Sequence, residues 1–516
     1  MDNFYHHLRF DVRKVQDYIF QVPKLKFMLG ANSKIGELFS TTLPELLRES
    51  KSVFTDTQLS GYSEMDWIEN FKHNVISSSG GHFEAIFASK GELDDFITRS
   101  KEIIASDLPD LEYSISWRKF RAADTFEDFM GKDKPQIQPV CSSGSEVLWY
   151  DLPYFELCKQ DGVSIGIDYD DDRKEIGKKA DIMTKQADRF YNLKTDDAIA
   201  MLYKELGITG KQLVTNLQEL VKCGSSKKTN MLAYIKVDGN GTGARFRVAR
   251  DQLRGKNALD AFIMIEDFWA KNRNKIKSSL KTALNSDKVI QNIGTKIPYL
   301  LLMLGGDDLF LVCIPELALH ISTILAQEMG ADCPISAGIA FVKATYPIAL
   351  ANQLAESCLD SAKAASYKEA GQPAYIDWHV HFDSVYQDIS EIRRSAYMLE
   401  YSENNKQITE ILSLRPYSLS KTNELIKEVE AMAELLDDPK EEAANNKIKS
   451  YRSIVKGGYA ETQYYTKMLL SDKTELAKFV GKYQIITDAT GHEIRLNSAL
   501  DKIELLEFYR ENKGER

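Results

Sequence analysis

The sequence predicts an α+β protein in which one unit of strands and helices occurs twice. The first copy begins with an apolar segment, residues 4–10, that ends at Asp11, and the second begins with residues 231–237, which end at Asp238. A helical stretch follows each segment, and a pair of glycines then separates two apolar runs, 69 residues after Asp11 and 67 residues after Asp238. The same order at nearly the same spacing is typical of an internal repeat.

Each copy is predicted to form a strand, helices, a hairpin, a helix and a further strand. Two apolar runs joined by a tight Gly-Gly turn indicate a β-hairpin, at Gly80-Gly81 in the first copy and at Gly305-Gly306 in the second. This order fits an antiparallel sheet covered by helices on one face, which is the ferredoxin-like plan. A chance recurrence of common elements is the alternative interpretation, and the shared order counts against it.

Two further regions lack this pattern and complete a four-domain organisation. The repeated units take residues 1–120 and 229–390, and residues 121–228 between them are predicted to form an inserted, mostly helical domain. Residues 391–516 carry apolar side chains at intervals of three and four, which predicts a helical C-terminal domain. A chain of 516 residues has room for three or four domains of roughly 150 residues each.

The composition excludes several classes of protein. Hydrophobic residues make up 43% of the chain and aromatic residues 10%, which is enough to build cores and excludes a disordered or fibrous chain. The net charge of −10 excludes a general basic coat for nucleic acid, although it leaves room for a local basic patch. The sequence shows no secretory signal, and its apolar stretches fall short of the roughly 18–20 residues of a membrane span. We therefore expect a cytoplasmic protein with no membrane partner.

The two hairpin turns differ in their chemistry. Residues 80–82 read Gly-Gly-His, whereas residues 305–308 read Gly-Gly-Asp-Asp. Two adjacent aspartates, Asp307 and Asp308, repel each other unless a cation neutralises them. Asp238 ends the first strand of the same copy, and it would lie beside Asp307 and Asp308 if that strand neighbours the hairpin in the sheet. Carboxylate oxygens suit Mg²⁺ or Mn²⁺, and paired ions of this kind serve phosphoryl and nucleotidyl transfer. An ordinary turn, which also favours Gly and Asp, is the alternative.

A glycine-rich loop between a strand and a helix follows Asp238. It consists of Gly239, Asn240, Gly241, Thr242 and Gly243. Backbone N–H groups in such a loop face an anion, so the loop is a candidate cradle for a triphosphate, although it lacks the P-loop pattern. Lys363 is a weaker candidate for contact with triphosphate oxygens, with a solvated helix lysine as the alternative. Ser336 is a weaker candidate for contact with a base, with an ordinary polar strand residue as the alternative.

Six segments of the sequence resemble a known family. The segments DVRKVQDYIFQVPKLKFMLGAN, SSGGHFEAIF, IKVDGNGTG, LLMLGGDDLF, SAGIAF and RPYSL, in this order, resemble the large palm-domain subunit of type III CRISPR effector complexes, particularly the Cmr type. The resemblance spans nearly the whole chain. It implies two nucleotidyl cyclase-like palm domains, a degenerate one at 1–120 and a catalytic one at 229–390, with the inserted domain between them and a C-terminal domain that contacts small subunits.

The resemblance implies an enzyme that converts ATP to cyclic oligoadenylate when the complex holds target RNA. It makes Asp307 and Asp308 the catalytic pair and Asp238 a further metal ligand, with Mg²⁺ or Mn²⁺ as the cofactor. The loop at 239–243 and the turn at 305–306 would contact one ATP. A second ATP, the acceptor, would lie near the turn of the first palm domain, at Gly80, Gly81 and His82. The implied partners are a guide-end-binding subunit, small subunits, and guide and target RNA held mostly through the complex.

The chain departs from the family pattern in three respects. Family members often begin with an HD nuclease domain, whereas this sequence starts at the first palm strand, so we expect no DNA cleavage from it. Asn240 replaces a carboxylate that is frequent in this loop. Cys141 and Cys158 lie where a zinc site is expected, but the paired cysteines are missing and the sequence does not support zinc.

Three alternative functions remain open at this stage. The chain could join AMP to a non-nucleotide acceptor or act outside a CRISPR complex, because the degenerate first palm leaves the acceptor undefined. It could be a guanylate-specific cyclase. It could also be a scaffold subunit with little catalysis, although scaffolding alone gives no reason to keep clustered carboxylates.

Overall fold

A computed structural model gives the structure of the chain, and its described residues fall into two compact units. The first unit comprises Met1–Leu213, Gly241–Ser278 and Leu302–Asp308, and the second comprises Val214–Asn240, Ser279–Leu301 and Leu309–Arg516. The residues that the structure describes are 4–20, 25–49, 75–79, 81–108, 111–121, 124–131, 136–137, 168–170, 175–177, 203–208, 214, 216–224, 230–294, 296–382, 388–404, 406–437, 442–469 and 474–509.

Strands and helices are numbered in chain order. The strands are β1 (Phe4–Val12), β2 (Val75–Ser79), β3 (His82–Phe87), β4 (Tyr113–Arg121), β5 (Gln136–Ile137), β6 (Asp168–Asp170), β7 (Glu175–Gly177), β8 (Met231–Gly239), β9 (Tyr299–Gly305), β10 (Asp308–Cys313), β11 (Ile335–Lys343), β12 (Tyr375–Val380), β13 (Met398–Glu403), β14 (Lys406–Ile411), β15 (Tyr417–Ser418), β16 (Gln484–Thr487) and β17 (Glu493–Leu496). The helices are α1 (Val15–Phe20), α2 (Leu25–Glu37), α3 (Leu43–Glu49), α4 (Lys90–Asp107), α5 (Phe126–Gly131), α6 (Leu217–Val221), α7 (Thr242–Asp251), α8 (Ala258–Leu284), α9 (Asp287–Asn292), α10 (Pro315–Met329), α11 (Ile348–Ser366), α12 (Ile389–Ala396), α13 (Leu419–Leu436), α14 (Glu442–Val455), α15 (Tyr459–Leu469), α16 (Thr474–Val480) and α17 (Ala499–Tyr509), with a π-helical turn at Leu38–Thr42.

The first sheet has the strand order β2-β3-β1-β4-β5. Its central strand β1 runs antiparallel to both β3 and β4. Leu8 and Phe10 are fully buried, whereas the alternate residues Arg9 and Asp11 are more exposed, as expected for a strand with one face on the core. The four strands β2-β3-β1-β4 have the ferredoxin-like order that the sequence predicts.

The second sheet repeats this order. Its strands run β15-β12-β11-β8-β10-β9, so β9-β10-β8-β11 corresponds to β2-β3-β1-β4. The central strand β8 pairs antiparallel with β10 and β11, and all of its residues except Asp238 are buried. The prediction of an α+β protein with two ferredoxin-like units is therefore confirmed.

The C-terminal region is not wholly helical, which corrects the prediction for residues 391–516. Besides helices it holds a four-stranded sheet of order β13-β14-β17-β16. These strands have four to six residues and mix polar or charged side chains with apolar ones, so they were not distinguished from the neighbouring helices by their periodicity. The strand β15, in the same region, adds to the edge of the second sheet through Tyr375 and Ser418.

The inserted region, residues 121–228, is described only in part. Its described residues form α5, α6 and the short strands β5, β6 and β7, and β5 extends the first sheet beside β4. Cys141 and Cys158 lie outside the described residues, as does most of the stretch predicted to be helical. The compact units also divide the chain differently from the predicted domains, because α7 and most of α8 belong to the unit of the first sheet.

An aromatic cluster within the first unit fixes α8 on the first sheet. Phe262 on α8 is only 3% exposed. Its ring stacks on His7 at 4.7 Å between centroids and meets Phe129 and Phe120 edge-on at 4.9 and 5.7 Å. Burial of aromatic rings in such pairs holds the helix at a defined position. Among the described helices, none has the length and apolar character to cross a membrane.

Candidate active site

Three aspartates meet at one edge of the second sheet. Leu309 on β10 pairs with Val237 on β8, so the next residues along these antiparallel strands, Asp308 and Asp238, lie side by side. Asp307 precedes Asp308 in the turn, directly after Gly306, whose φ of 65° favours glycine. One carboxylate oxygen from each aspartate lies within 4.8 Å of the others, and all three residues are half-buried. We call Asp238, Asp307 and Asp308 the acidic cluster.

The acidic cluster fits a divalent metal ion. Its donors are all carboxylate oxygens, which Mg²⁺ and Mn²⁺ prefer, and three negative charges this close favour a bound cation. The ammonium group of Lys363 on α11 supplies a counter-charge, since it forms an ion pair with Oδ2 of Asp238. Burial lowers the pKa of Lys363. A metal ion at this edge of the sheet would be held by the three aspartates of the cluster.

The glycine-rich loop brings the start of α7 to the acidic cluster. Gly241 has a φ of 63° and turns the chain so that α7 begins at Thr242. The Thr242 hydroxyl donates to Oδ2 of Asp307 at 2.6 Å. The N-terminal end of a helix carries partial positive charge and suits an anion. A Cβ built on Gly243 would meet no atom within 4 Å, so this position is open.

Two residues of the predicted nucleotide site, Asn240 and Ser336, have buried side chains. Asn240 is 1% exposed, and its amide nitrogen donates to Ser366 Oγ at 3.0 Å and to the carbonyl oxygens of Gln372 and Pro373 at 3.2 and 3.0 Å. The amide therefore anchors the loop to the end of α11. Ser336 pairs with Asp238 in the sheet but is 0% exposed, so a base cannot reach it.

A cavity of about 550 Å³ lies within the first unit, which is the usual size for a small-molecule site. Its wall includes the outer face of the first sheet, α7, α8, and the turn residues Gly305 and Gly306. The lining includes the basic side chains of Arg9, His82, Arg118, Arg250 and Arg273, which outnumber the acidic ones of Asp11, Glu84 and Glu266, and the aromatic rings of Trp117, Phe246 and Trp269. Positive charge beside aromatic rings suits a nucleotide, whose phosphates are anionic and whose base is planar.

His82 sits inside a charged network in this cavity. Its Nδ1 lies 2.6 Å from Asp11 Oδ1 and its Nε2 lies 2.9 Å from Glu84 Oε1. Burial opposes the charged imidazole, but the two carboxylates outweigh it and raise the pKa of His82 to about 9. Arg9 Nε bonds Asp11 at 2.8 Å, and His7 Nε2 lies 3.2 Å from Glu84. His82 is thus a cation at neutral pH.

Sequence reasoning found His82 but missed its partners. Three polar residues of β1 occur at alternate positions, His7, Arg9 and Asp11, which places them on one face of the strand. Asp11 pairs with His82 and Arg9 with Glu84 across β1 and β3. The alternation in the sequence predicts that these residues share one face of β1. Which residues of β3 lie opposite them depends on the register of the two strands, which the sequence does not give. Of the other two predicted residues, Gly81 adopts a φ of 82° in the turn, whereas Gly80 lies outside the described residues.

Comparison with solved structures places the fold in a defined class. The Csm1–Csm4 subcomplex of the type III-A CRISPR-Csm interference complex is similar over 98% of this chain and 70% of that chain, with a TM-score of 0.52 and 12% identity. Csm1–Csm4 cassettes in complex with one ATP and with cA3 are similar over 99% of this chain and 70% of those chains, at TM-scores of 0.51 and 0.50 and 12% identity. At this identity the likeness shows a shared fold. No protein-family model and no curated protein sequence matches this chain.

Proposed function

We propose that the chain is the large subunit of a type III CRISPR effector complex and converts ATP to a cyclic oligoadenylate. The observation that carries the proposal is the acidic cluster, in which Asp238, Asp307 and Asp308 bring carboxylate oxygens within 4.8 Å of one another. The cavity of the first unit reaches Gly305 and Gly306, the two residues before Asp307. A carboxylate cluster next to a cavity of nucleotide size suits nucleotidyl transfer better than scaffolding.

The donor ATP would bind at the acidic cluster. The open backbone at Gly243 and the start of α7 suit its triphosphate, and Lys363 adds a positive charge beside Asp238. A divalent ion bound by the cluster would lower the pKa of the attacking hydroxyl and neutralise the leaving pyrophosphate. The three carboxylates of the cluster would hold that ion, and the hydrogen bond from Thr242 restrains Asp307.

The acceptor ATP would occupy the cavity of the first unit. Arginine side chains such as Arg118 and Arg250 would offset its phosphate charge, and Trp269 and Phe246 offer rings to its base. In the reaction, the 3′-oxygen of the acceptor forms a bond to the α-phosphorus of the donor. The bond from that phosphorus to pyrophosphate breaks, and the hydroxyl proton is released. Repetition and a final closing step would give a ring.

The structural neighbours support a complex rather than an isolated enzyme. They are Csm1–Csm4 assemblies, and one belongs to an interference complex, so we propose a partner subunit that binds the guide end, together with small subunits, guide RNA and target RNA. The motifs resemble the Cmr type, whereas the neighbours bear the name Csm1. The proposal is therefore made for the type III class, and the Cmr type stays a prediction from the motifs.

The assembled complex tests this function directly. It would be incubated with each of the four labelled nucleoside triphosphates and Mg²⁺ or Mn²⁺, with and without target RNA, and the products identified by mass spectrometry. Of the four nucleotides, we expect only ATP to give oligoadenylate. The yield should rise with target RNA, and no product should form without metal. The Asp307→Asn, Asp308→Asn double variant should lose the product, whereas Asp287→Asn, at an exposed position on α9, should keep it. Product from GTP would favour a guanylate cyclase, and an unchanged double variant would overturn the assignment.

A further inference from the structure

A chain of two hydrogen bonds ends on one carboxylate of the acidic cluster. Arg245 Nη2 donates to Thr242 Oγ1 at 3.0 Å, and Thr242 Oγ1 donates to Asp307 Oδ2 at 2.6 Å. Arg245 and Thr242 lie three residues apart on α7, one turn of the helix, so their side chains share a face. The three residues all belong to the first unit.

The order of donors in this chain is fixed by chemistry. Guanidinium groups only donate hydrogen bonds, so Arg245 uses a lone pair of the Thr242 oxygen. The hydroxyl has a single proton, and that proton is directed to the aspartate. A carboxylate that receives such a bond on one oxygen offers its other oxygen, Oδ1, to a metal ion. The hydroxyl thereby restrains the rotation of the Asp307 carboxylate.

We infer that Thr242 is a positioning residue for the metal site, which orients Asp307 through its hydroxyl and is itself oriented by Arg245. The inference deepens the proposed function and rests on it, because it assumes a divalent ion at the acidic cluster. Removal of a residue that hydrogen-bonds to a metal-ligating side chain typically weakens metal affinity 10–100-fold. The glycine at 241, with a φ of 63°, fixes where Thr242 stands at the start of α7.

Binding of Mn²⁺ alone to the full-length chain, followed by electron paramagnetic resonance, tests this role without relying on turnover. Thr242→Val keeps the shape of the side chain but removes the hydroxyl, and we expect the dissociation constant for Mn²⁺ to rise roughly tenfold. Thr242→Ser restores the hydroxyl and should bind Mn²⁺ as the unaltered chain does. Thr98→Val is the matched control, since Thr98 is an exposed helical threonine that donates to the carbonyl oxygen of Asp94 on α4.

A second variant covers the case in which Thr242→Val fails to fold, as judged by circular dichroism. Arg245→Met removes the donor that orients the hydroxyl, and we expect a rise in the dissociation constant of about threefold, less than the tenfold lower limit for a direct partner. The inference is overturned if Thr242→Val binds Mn²⁺ as tightly as the unaltered chain. It is also overturned if Thr242→Ser binds Mn²⁺ as weakly as Thr242→Val. If Thr242→Val is unfolded, unchanged affinity in Arg245→Met overturns it. If the unaltered chain binds Mn²⁺ no better than Asp307→Asn, the metal site itself fails, and the proposed function fails with it.

Discussion

His82 shows how a single residue of the first sheet can carry charge in place of a metal ion. In the second sheet the strand-end Asp238 lies beside two further aspartates, whereas in the first sheet the strand-end Asp11 lies beside a histidine. Hydrogen bonds from His82 and Arg9 outweigh the effect of burial and lower the pKa of Asp11. Glu84 behaves in the same way, since bonds from His7 and His82 outweigh its burial and lower its pKa. The first sheet therefore balances the charges of Asp11 and Glu84 with basic side chains.

The charged state of His82 predicts a pH-dependent stability. A histidine whose pKa rises from about 6.5 to about 9 on folding stabilises the protein by about 3 kcal/mol, fully below pH 6.5 and progressively less as pH rises through 9. The difference in unfolding free energy between the unaltered chain and His82→Gln should therefore shrink between pH 6.5 and 9. Urea unfolding at a series of pH values measures this difference.

His6 provides the control on the opposite face of β1. Burial lowers the pKa of His6, the opposite direction to His82, so the difference in unfolding free energy between the unaltered chain and His6→Gln should not shrink over the same range. A His82→Gln difference that also fails to shrink would show that the imidazole is not held as a cation.

At the scale of elements, the helix α11 packs directly against the backbone of the strand β11. A Cβ on Gly338 of β11 would lie 2.2 Å from the carbonyl oxygen of Ala355 and 2.2 Å from the amide nitrogen of Leu359, so the helix backbone rests directly on the strand. This close approach places the last turn of α11, which carries Lys363, at the end of β8. The position of the Lys363 ammonium thus depends on a glycine in another element.

Gly338→Ala should push α11 away from β11. Overpacking of this kind typically costs about 1–3 kcal/mol, and we expect a loss of stability at the upper end of that range together with weaker ATP binding. Urea unfolding and a nucleotide-binding titration measure the two effects. Gly36→Ala in α2 is the control, because a Cβ there meets no atom within 4 Å and a helical alanine should leave stability equal or raise it by about 1 kcal/mol. Equal stability of the two variants would show that the packing at Gly338 is not limiting.

Local sequence signals predicted some elements well and others poorly. The hairpin at Gly305-Gly306 and the strand ending at Asp238 were predicted because apolar runs and a glycine turn are short-range features. The strands of the C-terminal sheet were missed because they are short and carry charges, as in the segments KQITEI and EIRL. The role of Asn240 was missed because its partner Ser366 is 126 residues away.

At the scale of the whole molecule, the duplication was predictable and the grouping of its parts was not. The order of elements along the chain determines the two ferredoxin-like sheets, and both have the same strand order. The assignment of α7 and most of α8 to the unit of the first sheet depends on packing, such as that of Phe262 against Phe120, between residues far apart in sequence. No periodicity within a single segment reports such long-range packing.

The proposed enzyme depends on a divalent ion at the acidic cluster beside a bound ATP. The most direct measurement is a crystal structure of the chain with Mn²⁺ and a non-hydrolysable ATP analogue, with data collected at the manganese absorption edge. We predict an anomalous peak in contact with oxygens of Asp238, Asp307 and Asp308 and with the triphosphate of the analogue. A structure in which the analogue is bound and manganese is absent from these three carboxylates would contradict the proposal.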